Sequence, residues 1–312
     1  MRHLRNLNDA NLDADSILTI GVFDGVHRGH QQLIQRLVAR ARASGRLAVV
    51  LTFYPHPDKV LERVHTRYYL TTPEQRAELL LNLGVDIVIT HPFDSETRRQ
   101  PAAAFIDRLV DRLRIKELWV GADFALGFQR EGDITFLRAQ GEKRGFQVTA
   151  MKLISGDSSG EFIRSSSIRD QVRKGNMKAA KAMLGRAYVL PGTVVLGEQR
   201  GRTIGAPTAN LEVWPEQIIP ANGVYAAWAR LGGESFPAAT NIGQRPTFAG
   251  EAITIEAHLL DFNREIYGNQ LELAFEKRLR PERKFSGLEE LTKQIQADID
   301  ATRRSLGAPP PS

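Results

Sequence analysis

The first 150 residues alternate short apolar runs with segments of helical period, and that alternation leaves few folds open. "ILTIGVF" (17–23) reads as a buried strand, and Leu33, Ile34, Leu37, Val38 and Ala41 follow it at helical spacing. "LAVVLTF" (47–53) is a second strand. Thr72-Pro73-Glu74-Gln75 then supplies a cap, a first-turn proline and a capping-box glutamine for the next helix. "VDIVIT" (85–90), a helix over 101–114, "ELWVGA" (117–122) and "GFQVTAM" (145–151) continue the series. Strand and helix in turn imply an open, mostly parallel α/β sheet.

The pattern changes near residue 185. From there the segments are short, β-rich and punctuated by Gly, Pro and Asn: "GVYAAWARL", "ESFPAATNIG", "ITIEAHLLDF" and "QLELAFEKRLR". These predict a small antiparallel barrel or sandwich. Ser286 and Glu289 read as a capping box for a closing helix with Leu288, Leu291, Ile295 and Ile299 on one face. "IRDQVRKGNMKAAKAMLGR" reads as a basic helical connector. The expected division is 1–185 for the α/β domain, 186–306 for the barrel and 307–312 for a disordered tail.

Composition removes several classes of chemistry. The 312 residues include no cysteine, which excludes disulfides, thiolate zinc sites, iron–sulfur clusters and thiol nucleophiles. No apolar run reaches the ~18 residues of a membrane span, and the N-terminus lacks the apolar stretch of a secretory signal, so a cytoplasmic protein without membrane contact is expected. The net charge of +6 suits polyanionic partners. Because the basic residues are spread out, small nucleotides are favoured over nucleic acid.

Two stretches carry candidate chemistry. In "GVFDGVHRGHQ" (21–31), His27 and His30 flank Gly29 between a strand and a helix, where exposed helix amides bind anions. The residues alone leave three readings open. They are a phosphate cradle, a metal site for which Asp24 is the one further local ligand, and a turn whose histidines cap or pack. In "GEQRGRTIGAPTANLEV" (197–213), Thr208 and Asn210 lie two apart and share a side of an extended chain. They are a weak neutral pair for magnesium, or a plain turn after a proline. On "ITIEAHL", alternation puts Ile253, Ile255, Ala257 and Leu259 on one face and Thr254, Glu256 and His258 on the other. Glu256 is then either a solvated glutamate on a barrel or a base facing substrate.

The histidine stretch resembles the HxGH signature of nucleotidyltransferases, in particular the prokaryotic bifunctional riboflavin kinase/FMN adenylyltransferases. "TFYPHP" (52–57), "VGADFALGFQREG" (120–132) and "IRSSSIR" (163–169) agree in order, as do "APTAN", "ANGVY" (221–225), "NIGQRPTF" (241–248), "IEAHLLDFNREIYG" (255–268) and "FEKRLRPERKF" (275–285). The resemblance implies a Rossmann-like nucleotidyltransferase domain followed by a riboflavin-kinase barrel with a closing helix. It implies that riboflavin, FMN and ATP are the substrates and that Mg²⁺ is the cofactor; nucleic acid is not expected as a partner, and self-association is left open. By the same resemblance His27, His30 and Glu256 are catalytic. Gly21, Phe23, Asp24, Gly29, Asp123, Ser165, Ser166 and Arg169 hold ATP in the first half, and Gly201, Arg202 and Gly205 do so in the second. Thr208 and Asn210 hold the metal. Four positions depart from the family: Arg164 and Ser166 in the serine motif, Leu126 in place of an aromatic residue, and Ala206 before the proline. The alternatives are a chain in which the kinase alone is active and a basic nucleotide- or nucleic-acid-binding protein; the latter should interleave aromatics with Lys and Arg on barrel strands.

Overall fold

The computed structural model describes residues 1–61, 67–151, 163–197, 206–247 and 250–307, with side chains left out of the description for 245–247 and 250–252. Two compact units part between Arg164 and Ser165, and the short segment Arg67–Leu70 belongs to the second. Helices α7 (Ser165–Arg173) and α8 (Met177–Leu184) lie with the second unit as well. The expected single connector is these two helices, broken at Gly175, whose φ of 74° is open to glycine at little cost.

In the first unit the described strands are β1 (Arg2–Leu4), β2 (Ser16–Ile20), β3 (Leu47–Tyr54), β4 (Ile87–Pro92), β5 (Ile115–Gly121) and β6 (Gln147–Met151). All pair in parallel, in the order β1-β4-β3-β2-β5-β6. The helices are α1 (Arg28–Ala43), the short α2 (Pro57–Val60), α3 (Pro73–Asn82), the short α4 (Ser95–Arg99), α5 (Ala102–Leu113) and α6 (Ile134–Arg144). Every residue of β2 is buried, as a central strand covered on both faces must be. Leu18, Val49 and Leu51 pack with Phe105, Ile106 and Leu109 of α5, while Val50 and Val88 pack with Ile34 of α1 and Ala77 and Leu80 of α3. The expected capping box at Thr72 and Gln75 is present in both directions.

The strand order has a consequence for ligands. From β2 the chain winds outward through β3 and β4, then returns to the other side of β2 as β5. The order reverses between β2 and β5, and in open α/β sheets ligands bind at the carboxyl ends of the strands where the order reverses. Both the histidine loop and the segment holding Asp123 leave the sheet at that edge.

His91 on β4 makes this unit acid-sensitive. It is buried, and its Nδ1 accepts the Leu7 N–H at 3.4 Å, which leaves the ring proton on Nε2. Burial first, and then the charge of Arg108, lower its pKa from 6.5 to about 4, against a smaller opposing effect of Asp94. Between those values the unfolded chain binds a proton that the folded chain refuses, so stability falls as pH drops from about 6.5 towards 4 and levels off below. The loss is about 1–3 kcal/mol after allowing for solvent screening. His91→Phe, which keeps a ring against Phe53 and Phe105, is expected to flatten that part of the pH profile in denaturant titrations.

In the second unit, β7 (Tyr188–Val195), β8 (Ala209–Val213), β9 (Gly223–Leu231), β10 (Glu234–Thr247), β11 (Gly250–Leu259) and β12 (Gln270–Arg280) close into an antiparallel barrel, in the order β10-β11-β8-β7-β12-β9. On β11, Ile255, Ala257 and Leu259 are buried while Thr254, Glu256 and His258 are partly exposed, as expected from the sequence, but Ile253, expected on the buried face, is exposed near the start of the strand. Residues 67–70 enter this unit's core: Tyr69 is fully buried beside Trp214, and Gln217 donates to the carbonyls of Leu70 and Val189.

The closing helix is α9 (Leu288–Ser305). Asp298, on its inner side, takes three hydrogen bonds from the Arg280 guanidinium at 2.7–3.1 Å and one from Gln294. The expected Ser286/Glu289 box is absent. The helix starts one residue later than expected, its N-cap is Gly287, and the Ser286 N–H and hydroxyl donate to Glu290. Gly287 has no side chain to cap with, and Glu290 is the residue at the third helical position. Of the expected tail, 308–312 lies outside the described residues.

Candidate functional sites in the two units

The histidine loop is built by strained backbone held at several points. Phe23, Gly25 and Val26 all have positive φ, at 52°, 80° and 39°, and such values are costly for a bulky or β-branched residue. Asp24 is buried; its Oδ1 accepts the Thr71 N–H and hydroxyl at 3.2 Å, while the Gly25 N–H donates to the same hydroxyl oxygen. Arg76 on α3 is fully buried and donates to the Val22 and Phe53 carbonyls and to the Thr52 hydroxyl, tying the ends of β2 and β3 together. Neither Thr71 nor Arg76 was singled out from the sequence. The capping box between them was the available signal.

The two imidazoles form one stacked unit. His27 caps α1, its Nδ1 accepting the His30 N–H at 3.4 Å, and the rings stack with centroids 3.7 Å apart. A Cβ at Gly29 would press on the His27 ring at 3.3 Å, and one at Gly21 would press on the Phe23 ring at 3.0 Å. These two glycines therefore make room for the rings. Phe23 meets His30 edge-on at 5.1 Å. Burial lowers the His30 pKa well below 6.5, and the nearby His27 and Arg76 lower it further, so His30 is a neutral imidazole at physiological pH. Its Nδ1 is buried without a hydrogen-bond partner among the described residues.

Asp123 is exposed just past β5, its carboxylate close over Gly121 and its carbonyl accepting from Arg130. In the second unit, α7 begins at Ser165. Ser166 is exposed, and Arg169 is buried, with its guanidinium 3.8 Å over the Tyr68 ring and Nε donating to the Tyr68 carbonyl.

The second unit holds a cavity of about 290 Å³ between the outer wall of the barrel and α9. Glu256, Thr208, Asn241 and His258 line it from the barrel, Arg280, Glu282, Arg283 and Asp298 add charged groups, and Val224, Phe285, Leu291, Ile295 and Ile299 supply its apolar side. Glu256 stands directly opposite Asn210 in the β8–β11 ladder and opposite Asn241 in the β10–β11 ladder. Cross-strand partners share a face, so the carboxylate lies between two side-chain amides. Gly201, Arg202 and Gly205 fall outside the described residues.

Family models match both halves of the chain: FAD synthetase over residues 9–167 and riboflavin kinase over 184–306. A bifunctional riboflavin kinase/FMN adenylyltransferase of Listeria monocytogenes is 38% identical over 93% of this chain and 92% of its own length. Its counterpart in Escherichia coli (strain K12) is 37% identical over 100% of this chain and 99% of its own. The chain belongs to the bifunctional riboflavin kinase/FMN adenylyltransferase family. A solved structure described as a macrolide-efflux protein from Streptococcus pneumoniae also aligns, with a TM-score of 0.85, 31% identity and coverage of 97% of this chain and 98% of that one. Among the described residues of this family member no helix is long and apolar enough to cross a membrane.

Gly197 bears on the kinase half of this family member. A Cβ there would overlap the Asn210 amide, the free end of a side chain rather than backbone. Gly197→Ala should therefore move Asn210 with little cost to folding. The family resemblance assigns Asn210 to a metal ion, so the expected result is at least a ~10-fold fall in riboflavin phosphorylation, the scale of disturbing a contact outside a metal ligand, with an unchanged thermal unfolding midpoint and unchanged FAD formation from FMN.

Proposed function

We propose that the chain makes FAD from riboflavin in two ATP-dependent steps: the barrel phosphorylates riboflavin to FMN, and the α/β unit adenylylates FMN. The observation that carries the kinase reading is Glu256 set between Asn210 and Asn241 at a cavity that combines polar groups with an apolar lining from Val224, Phe285, Leu291, Ile295 and Ile299. Such a cavity suits a flat, amphipathic ring bearing a hydroxylated chain. Glu256 accepts the proton of the riboflavin 5′-hydroxyl as that oxygen bonds to the γ-phosphorus of ATP and the bond to ADP breaks. Gly201, Arg202 and Gly205 are assigned to the ATP phosphates.

The donor set fits magnesium. No group of three or more His, Asp or Glu able to hold a metal occurs among the described residues. The Thr208 hydroxyl and Asn210 amide oxygen are hard neutral ligands, the kind that suffice when water and phosphate fill the remaining positions. When bound there, magnesium neutralises charge on the transferred phosphoryl group. Thr208 and Asn210 orient it, and Glu256 stays directed at the hydroxyl.

In the α/β unit the FMN phosphate attacks the α-phosphorus of ATP, and pyrophosphate leaves. His27 and His30 act as donors to phosphate oxygens, His30 as a neutral imidazole, aided by the α1 amides around Gly29. Gly21, Phe23 and Asp24 shape the loop, and Asp123 contacts the nucleotide at the carboxyl ends of β2 and β5. Ser165, Ser166 and Arg169 are assigned to ATP phosphates. Little in this needs a covalent intermediate; alignment and charge carry the step.

The by-products test the assignment. With ATP and riboflavin under conditions where FMN is trapped, ADP should form in step with FMN. With ATP and FMN alone, pyrophosphate and FAD should form in equal amounts without ADP. ADP released with FMN as sole acceptor would contradict the division of chemistry.

A further inference from the structure

The ladder between β8 and β11 ends at the Ala209–Ala257 pair, one residue short of Thr208. Beyond it Pro207 has no N–H to extend the pairing, and Ala206 offers only a methyl group to hold the turn by packing. A side chain takes over where the backbone stops: His258 Nδ1 lies 2.8 Å from the Pro207 carbonyl oxygen. A carbonyl only accepts, so Nδ1 carries the proton and donates it. Carried one residue past the Asn210–Glu256 and Ala209–Ala257 pairs, the register sets His258 across from Thr208, and both line the cavity.

We propose that His258 is a positioning residue of the kinase site: its hydrogen bond anchors the Pro207–Thr208 turn to β11 and so holds the Thr208 hydroxyl at its ligating place. It is not itself a metal ligand. This rests on the reading of Thr208 as a ligand of the magnesium that accompanies the nucleotide. Glu256 and His258, two apart on one strand, then divide the work. The first faces the substrate hydroxyl, and the second fixes the turn that carries a metal ligand.

The full-length chain tests it with His258→Leu, which fills the space without a donor, and His258→Asn, whose amide N–H stands near the place of Nδ1. Mn²⁺ binding to the protein–ADP complex is followed by electron paramagnetic resonance, and the Mg²⁺ half-saturation of riboflavin phosphorylation is measured beside it. His258→Leu is expected to weaken Mn²⁺ binding about tenfold and to raise the Mg²⁺ half-saturation equally, as loss of an outer-shell partner does, with the riboflavin KM within about twofold. His258→Asn should recover most of both. The retained riboflavin KM and an unchanged thermal unfolding midpoint report that the barrel is folded, and FAD formation from FMN reports the same for the other unit. Unchanged Mn²⁺ binding in His258→Leu overturns the proposal, whatever happens to kcat. Thr208→Val separates the two levels. If it weakens Mn²⁺ binding and His258→Leu does not, the positioning role alone falls; if neither does, the Thr208 assignment falls with it.

Discussion

Glu256→Gln is expected to lower riboflavin phosphorylation by about 10²–10⁴-fold, the range typical of losing a general base. The substitution keeps the size of the side chain and its place opposite Asn210 and Asn241, so the barrel should unfold at the same denaturant concentration. The fall should appear in kcat, with the KM for riboflavin little changed, since the apolar side of the cavity is untouched. Asn210→Ala should act differently, raising the magnesium needed as well as lowering the rate. In both variants, FMN supplied directly should still become FAD. If Glu256→Gln phosphorylates riboflavin at the normal rate, the carboxylate is only a solvated residue on a barrel wall.

The second large effect is expected from His30→Ala: loss of FAD formation from FMN by about 10²–10³-fold, the scale of removing one preorganised donor from a charged transition state, with riboflavin phosphorylation retained. His30 is packed between His27 and Phe23, so the truncation also leaves a gap in the loop. His30→Gln fills much of that gap and keeps an amide donor; it should recover a share of the rate, which a purely structural loss would not predict. Because burial holds His30 neutral, it stays neutral between pH 8 and 6.5 and should add no step to the rate profile there. A mixture of the His30→Ala and Glu256→Gln chains is expected to make FAD from riboflavin, each supplying the step that the other lacks.

What the sequence disclosed follows the range of the interactions involved. The strand–helix alternation of the first half and the period-two pattern of "TIEAHL" are local, and both appear in the structure, including the outward face that carries Glu256. The Thr72/Gln75 box spans four residues and was equally legible. Arg76, next to that box, was not. A lone arginine on a helix reads as a solvated charge, and only the tertiary fold brings it under the carbonyls of Val22 and Phe53. Tyr69 escaped notice for a similar reason: "RYYL" shows no strong period, and its place in the barrel core depends on Trp214 and Gln217 nearly 150 residues away. The pairing of Glu256 with Asn210 is a matter of strand register, which no single strand discloses. At Ser286 the spacing misled, because a glycine one position later took the cap and passed the carboxylate's role to Glu290.

The central claim is that one chain carries two separate ATP-using sites acting in sequence, and a time course tests it most directly. The full-length protein is incubated with riboflavin, ATP and Mg²⁺, and the flavins are resolved chromatographically at intervals. FMN is expected to appear first and FAD to follow from it, with the total flavin constant throughout. Absence of any flavin product, or FMN that accumulates and never becomes FAD, would contradict it.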